Sequence, residues 1–294
     1  MAEWLTIGEV EILSLTDGEV SFPFKLDACF PSVTAAQWEP FRQRYPEVFE
    51  APDTWQIHWG CHLLRSRGRT ILVDTGIGPR PAQFLGGVPG TLITELKQAG
   101  VDPADVDIVF ITHSHLDHIG WNLTDDRKPR FPRARYVIHQ ADWDAAPQLE
   151  DAVMKAGAEP YLAQTLTPLR ELGALDLLSG EKALTEEVTA VPTPGHTPGH
   201  MSIVVSSRGA KALITGDTII HPAQVTESGW WFGFDSDPQQ GVATRERLLE
   251  RLEAEGMTMV ACHFPSPGYG RIVRLQGRRY WQGLRLNAHP MSRT

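Results

Sequence analysis

Ile111-Thr112-His113-Ser114-His115-Leu116-Asp117-His118-Ile119-Gly120-Trp121 places four potential metal ligands within six positions. The apolar run Asp107-Ile108-Val109-Phe110-Ile111 leads directly into it and reads as a short, buried, β-branched strand ending at Thr112. A regular helix could not use the four together, since His113 and Asp117 would share a face while His115 pointed away. Convergence therefore requires a strand end, a loop and then a new helix. His113 and His115 then look the same way, as i and i+2 residues of extended chain do, and Asp117 and His118 enter from the first turn of the helix.

Three later turns also carry ligand-type residues behind apolar runs. They are Thr193-Pro194-Gly195-His196-Thr197-Pro198-Gly199-His200, Leu213-Ile214-Thr215-Gly216-Asp217-Thr218 and Val260-Ala261-Cys262-His263-Phe264-Pro265. Loops held by a rigid sheet are where chemistry is usually carried. Surface histidines by chance are the alternative for the first stretch, and the downstream turns weigh against it.

In this order, with Thr70-Ile71-Leu72-Val73-Asp74-Thr75-Gly76 upstream, the motifs resemble those of the metallo-β-lactamase fold hydrolase superfamily over roughly Leu5 to Leu275. The resemblance implies an αββα four-layer sandwich with two similar halves, an α/β fold. It implies that His113, His115 and His196 form one metal site, that Asp117, His118 and His263 form the second, and that Asp217 bridges them, with Asp117 and Asp217 the catalytic carboxylates. Asp74 would accept from a ligand imidazole, or else serve only as a turn residue. His200 is read as structural, with a proton-donor role as the alternative. All these ligands are imidazole or carboxylate, which suits Zn²⁺ first and also Mn²⁺, Fe²⁺ or Co²⁺. Cys262, next to His263, is expected to point to the opposite side of the strand end.

The run Gly216-Asp217 with Ile219-Ile220-His221, then Phe234-Asp235-x-Asp237, Thr244-Arg245 and His263-Phe264-Pro265-x-Pro267-Gly268-x-Gly270, is most similar to the branch of methyl parathion hydrolases, with quorum-quenching lactonases as close neighbours. Those lactonases carry a tyrosine three residues after the bridging aspartate. Here that position is Ile220, so tyrosine-assisted lactone opening is not implied.

Composition bounds the rest. The chain has 294 residues, 41% of them hydrophobic, and no Ser/Gly linker, charge block or low-complexity run divides it; one domain over 1–294 is expected. A formal charge of −9 argues against a nucleic-acid backbone as partner. No run approaches the roughly 18 apolar residues of a membrane span. Three scattered cysteines, and a start at Met1-Ala2-Glu3-Trp4-Leu5 without basic or apolar leader features, give the expectation of a cytoplasmic protein. A small-molecule substrate is the expected partner, and exposed aromatics would suit a homodimer.

Locally, Gly8 to Leu15 reads as a strand closed by a turn at Thr16-Asp17-Gly18-Glu19, and 22–53 as a Pro/aromatic-rich insertion that lines a pocket or packs on the sheet, with a short helix around Thr34 to Arg44. Strands are expected at Trp55 to Arg65, Arg69 to Asp74, Arg135 to His139, Glu187 to Val191, Met201 to Val205, Lys211 to Thr215 and Thr258 to Ala261. Helices are expected at Thr91 to Ala99, Asp142 to Ala156, Pro160 to Leu172 and Pro238 to Glu255. His58 and His62 share one face of a strand and read as ordinary sheet histidines. Trp121, His221, Trp230, Trp231 and Phe232 are candidates for the substrate pocket, with core or dimer packing as the alternative for the aromatic loop. His221 is also a candidate proton donor.

The expected function is a dinuclear metal-dependent hydrolase in which a metal-bridging hydroxide cleaves a small, largely apolar ester, lactone or phosphotriester. The alternatives are a mononuclear iron enzyme of the persulfide dioxygenase type, a β-lactamase, a glyoxalase II-like thioesterase using Arg271, Arg274, Arg278 and Arg279, or a metal-free binding protein on the same fold.

Overall fold

A computed structural model describes residues 4–80 and 82–284. Fifteen strands are present among them: β1 (Trp4–Ile7), β2 (Val10–Ser21), β3 (Phe49–Ala51), β4 (Thr54–Ser66), β5 (Arg69–Val73), β6 (Ile108–Phe110), β7 (Arg135–His139), β8 (Leu175–Leu178), β9 (Lys182–Ala183), β10 (Val188–Pro192), β11 (Met201–Ser207), β12 (Ala210–Ile214), β13 (Thr258–Val260), β14 (Tyr269–Leu275) and β15 (Arg278–Gly283). One sheet runs β1-β2-β4-β5-β6-β7-β8 with β3 added to β4, and the other runs β15-β14-β13-β12-β11-β10-β9.

Residue-by-residue alternation makes the layers, since successive side chains of a strand leave opposite faces. On β5, Ile71 and Val73 point into the cluster between the sheets, where they meet Ile203, Val205, Ala212 and Ile214 of the second sheet. Leu72 points the other way, into a cluster with Leu96, Leu162 and Leu169 from helical segments outside the first sheet. Leu213 and Met259 of the second sheet likewise pack on Leu248, Leu249 and Leu252 of the helix Pro238–Ala254. The result is helix, sheet, sheet, helix, a mixed α/β architecture.

The halves correspond in register. β5 pairs parallel with β6 so that Val73 faces Phe110, and β12 pairs parallel with β13 so that Ile214 faces Val260. One residue on, Asp74 N–H donates to Phe110 O and Thr215 N–H to Val260 O, both at 2.9 Å. His113 and His263 each lie three residues beyond those matched positions. Both halves therefore deliver an imidazole at the carboxyl end of the same strand pair.

Two local expectations are corrected. Thr16-Asp17-Gly18 is a bulge inside the continuous β2, not a turn. Asp17 is buried and collects N–H groups from Ile77, Gly78, Leu92 and the Trp121 indole, which keeps the strand running past it. The hairpin turn falls instead at Gly8, whose φ of +62° and approach to Ser207 O leave no room for a Cβ. Second, β1, β3, β8, β9, β14 and β15 extend the sheets beyond the expected strands; only Tyr269 and Gly270 of β14 are buried and two of its seven residues are arginines, so it lacks the apolar alternation that marks a strand. No helix among the described residues is long and apolar enough to cross a membrane.

Candidate metal centre and active-site cleft

All the ligand-bearing turns open at one end of the sandwich. His113, His115 and His196 form one group, and Asp117, His118, Asp217 and His263 a second; within each, the ligand atoms lie within 4.8 Å of one another. His115 Nδ1 is 3.1 Å from His113 Nε2 and 3.0 Å from His196 Nε2. Asp217 lies between the groups: Oδ2 is 3.4 Å from His196 Nε2, and Oδ1 is 3.3 Å from His118 Nε2 and 3.1 Å from His263 Nε2.

The outer partners fix the tautomers. His118 Nδ1 faces Asp74 Oδ2 at 2.8 Å, His196 Nδ1 faces Asp235 Oδ1 at 2.9 Å, and His263 Nδ1 faces the carbonyl of His58 at 3.0 Å. Each acceptor takes the ring N–H and leaves the Nε2 lone pair aimed inward. His113 follows the same rule: Thr112 Oγ1 donates to Asp74 and is thereby free to accept from His113 Nδ1 at 3.1 Å. Asp74 also accepts the Thr112 N–H at 2.8 Å, from a left-handed backbone position with φ of +62°.

The electrostatics suit a cation. Burial and the neighbouring His118 hold His113 well below the usual imidazole range, and burial with His196 pushes His115 down to about 3. Both rings are thus neutral, with lone pairs converging on a shared point. His118 Nε2 is buried with no hydrogen-bond partner, although Asp117 Oδ2 is 3.2 Å away. Burial opposes charge on His118 and His263, but the carboxylates outweigh it, Asp117 and Asp217 at His118 and Asp217 at His263, and raise both. Imidazole nitrogens turned inward beside clustered carboxylates, with His113, His118, His196 and His263 each tied behind, are the donor set a divalent ion takes. The residues fit such ions.

A model of the metallo-beta-lactamase superfamily matches residues 61–263. The chain belongs to that superfamily. Among named relatives, an N-acyl homoserine lactonase from Bacillus sp is 26% identical over 211 residues, covering 66% of this chain and 76% of the relative. The N-acyl homoserine lactonase AttM from Rhizobium radiobacter is 26% identical over 223 residues, covering 71% and 79%. Among solved structures, AidC, a dizinc quorum-quenching lactonase in complex with a product, aligns over 98% of both chains with a TM-score of 0.81 at 24% identity. Hydrolase AbOPH aligns over 98% of both chains with a TM-score of 0.83 at 22% identity, which speaks to the fold alone.

In this member of the superfamily the cleft over the two groups is lined by His115, Asp117, His196, Asp217 and His263 and by apolar side chains that include Phe22, Trp59, Phe84, Ile220, Phe232 and Phe234. Of the five pocket candidates read from the sequence, only Phe232 lines it. Trp121 is drawn aside by its hydrogen bond to Asp17. Trp230 is buried against Trp38 and Phe41, and His221 is enclosed by Phe30, Trp38, Phe49 and Trp55. Trp231 is half-buried and outside the cleft. The aromatic loop is thus mainly core, and the insertion 22–53 both lines the cleft, through Phe22, and packs on that core.

Cys262 departs from its expected direction. Its thiol lies on Asp217 Oδ1 at 3.3 Å, where it donates to the carboxylate. His200 is a strut: its Nε2 accepts the Asp217 N–H at 2.9 Å, and its Nδ1 faces Thr193 Oγ1 at 2.8 Å. Asp142 was not singled out in the sequence, yet it joins two motif loops, accepting from Ser114 N and Oγ and from Thr197 Oγ1. Asp235 enters the sequence reading only as part of a motif; in the structure Asp237 caps the helix, while Asp235 faces His196 Nδ1 and accepts the Phe232 N–H. Arg274 and Arg279 bind Glu253 and Arg278 binds Glu227, so three of the four arginines of the thioesterase alternative are engaged away from the cleft.

Proposed function

We propose that the protein is a dinuclear metal-dependent hydrolase of small, largely apolar ester-type substrates: lactones, esters or phosphotriesters. The observation that carries this reading is the meeting of two ligand groups at Asp217 beneath a cleft walled by hydrocarbon. The lactonase relatives support the choice of an ester-type bond.

His113, His115 and His196 would hold one divalent ion, Asp117, His118 and His263 the other, with Asp217 between them; zinc suits the donor set, as do manganese, iron and cobalt. Such ions supply hydroxide at neutral pH and polarise the attacked oxygen. The chain's own contribution is positional. Asp74, Asp235 and the His58 carbonyl keep imidazole lone pairs aimed inward, and His200 fixes the backbone of Asp217. Ile220, Phe232 and Phe234 exclude water and favour apolar substituents. A complete second group speaks against the mononuclear iron alternative.

Elemental analysis of protein purified without added metal, paired with hydrolysis of a lactone, an aryl ester, a phosphotriester and a β-lactam, tests the reading. Near two equivalents of metal with turnover of one of the first three is the expected result. One equivalent of iron and no hydrolysis would sink it.

A further inference from the structure

We infer that Asp142 sets the spacing of the first ligand group, His113, His115 and His196, by gripping from behind the two loops that carry it, and that it does not act on the second group. Asp142 is thus a positioning residue, and the inference rests on the metal-centre reading above.

Four of the five imidazoles in the two groups have a partner behind the ring. His115 is the exception. Its Nδ1 faces His113 Nε2 at 3.1 Å and His196 Nε2 at 3.0 Å, and among the described residues its Nε2 meets no hydrogen-bond partner. The direction of this ring therefore comes from the backbone that carries it. That backbone is held at Ser114, whose N–H and Oγ both donate to Asp142 Oδ1, at 2.8 and 2.7 Å. His113 and His115 turn inward while Ser114, between them, turns to Asp142. The other oxygen, Oδ2, accepts from Thr197 Oγ1, next in the chain to His196. Asp142 is fully buried in the first turn of the helix Gln140–Lys155, 28 residues from Ser114 and 55 from Thr197. One carboxylate thus spaces His113 and His115 against His196.

The second group is held by other means. His118 has Asp74 behind it, His263 the His58 carbonyl, and Asp217 is set through its N–H by His200. The turn Leu116–Ile119, which carries Asp117 and His118, is pinned to the end of β5, His118 O accepting the Thr75 N–H at 2.8 Å. Loosening Asp142 should therefore loosen one ion and spare the other.

The test reads zinc binding, not turnover. Zinc is titrated from a chelator buffer into the metal-free protein with ¹⁵N-labelled histidine, the His196 ring reporting the first group and the His118 ring the second. In Asp142→Asn an amide NH₂, which cannot accept from Thr197, replaces one carboxylate oxygen. The His196 ring should then need about 10–100-fold more free zinc than in wild type, with the His118 ring responding as before. Thr197→Val removes one arm of the grip and should give a smaller loss in the same direction, which keeps the test open if Asp142→Asn does not fold. Equal weakening at both rings would make Asp142 a general support of the fold and overturn the inference, as would no weakening at His196. A wild-type protein in which neither ring responds to zinc would remove the metal-centre reading, and this inference with it.

Discussion

The backbone N–H of Asp217 donates to Nε2 of His200 at 2.9 Å, so a histidine outside both ligand groups sets the position of the carboxylate that lies between them. Gly216, just before, has φ of +52° and passes so close to His200 that a Cβ would sit 2.6 Å from the ring nitrogen. The strut and the glycine fit as a pair.

His200→Leu removes the acceptor and leaves a buried N–H unsatisfied, which costs about 1–3 kcal/mol. The variant should unfold at lower urea and retain less metal after dialysis against a weak chelator. Wild-type metal retention would show that Asp217 is held by its other contacts.

Asp217→Asn should reduce bound metal and abolish hydrolysis while far-ultraviolet circular dichroism stays unchanged. The amide cannot present two anionic oxygens to both groups at once, and it offers Cys262 a weaker acceptor. Undiminished turnover in this variant would remove Asp217 from the centre.

Asp235→Ala leaves the His196 N–H without its carboxylate partner, so the ring loses both its fixed tautomer and its orientation. Loss of such a partner typically weakens metal binding by ~10–100-fold. Competition against a chromophoric chelator reads this directly, and an unchanged affinity would assign Asp235 to packing of its loop alone.

The sequence carried the centre further than its surroundings, and the reason is physical. His113, His115, Asp117 and His118 are close in the chain, so strand and helix geometry alone could bring them together. Asp142 to Ser114 and Asp235 to His196 span 28 and 39 residues, and neither shows a local period or spacing. The cleft wall was misread for a related reason. Trp230 and Trp231 stand out by composition, but which aromatics face a cleft is decided by packing: Trp38 and Phe41 take Trp230, and Phe22 and Phe84 come in from distant segments. A strand with a continuous apolar run, such as Tyr136-Val137-Ile138 within Arg135–His139, is legible to the residue; the arginine-bearing β14 is not.

Phe232 lines the cleft and Trp231 does not, so their alanine variants should separate. Phe232→Ala should raise KM for compact substrates and relax selectivity toward bulky ones, with metal content unchanged. Trp231→Ala should leave the substrate profile as it was. A reversed pattern would mean that the loop turns over when substrate binds.

Stability should fall steeply in mild acid. Burial pushes His62 and His221 down to about 3 and His58 to about 4, so the folded protein holds these rings neutral where an unfolded chain, titrating near 6.5, would protonate them. The unfolded state then binds more protons, and stability rises with pH. This contribution is complete above about pH 6.5 and is lost as pH falls toward 3–4, at up to about 1.4 kcal/mol per pH unit for each fully titrating ring. His221 lies outside the cleft, its Nε2 buried without a partner among aromatic rings, so His221→Phe should flatten the slope, while losing at every pH the bond that Nδ1 accepts from the Ala223 N–H. Urea midpoints for wild type and variant at about pH 7 and about pH 5 check this. Parallel losses in the two proteins would show that His221 is not among the rings that titrate on unfolding.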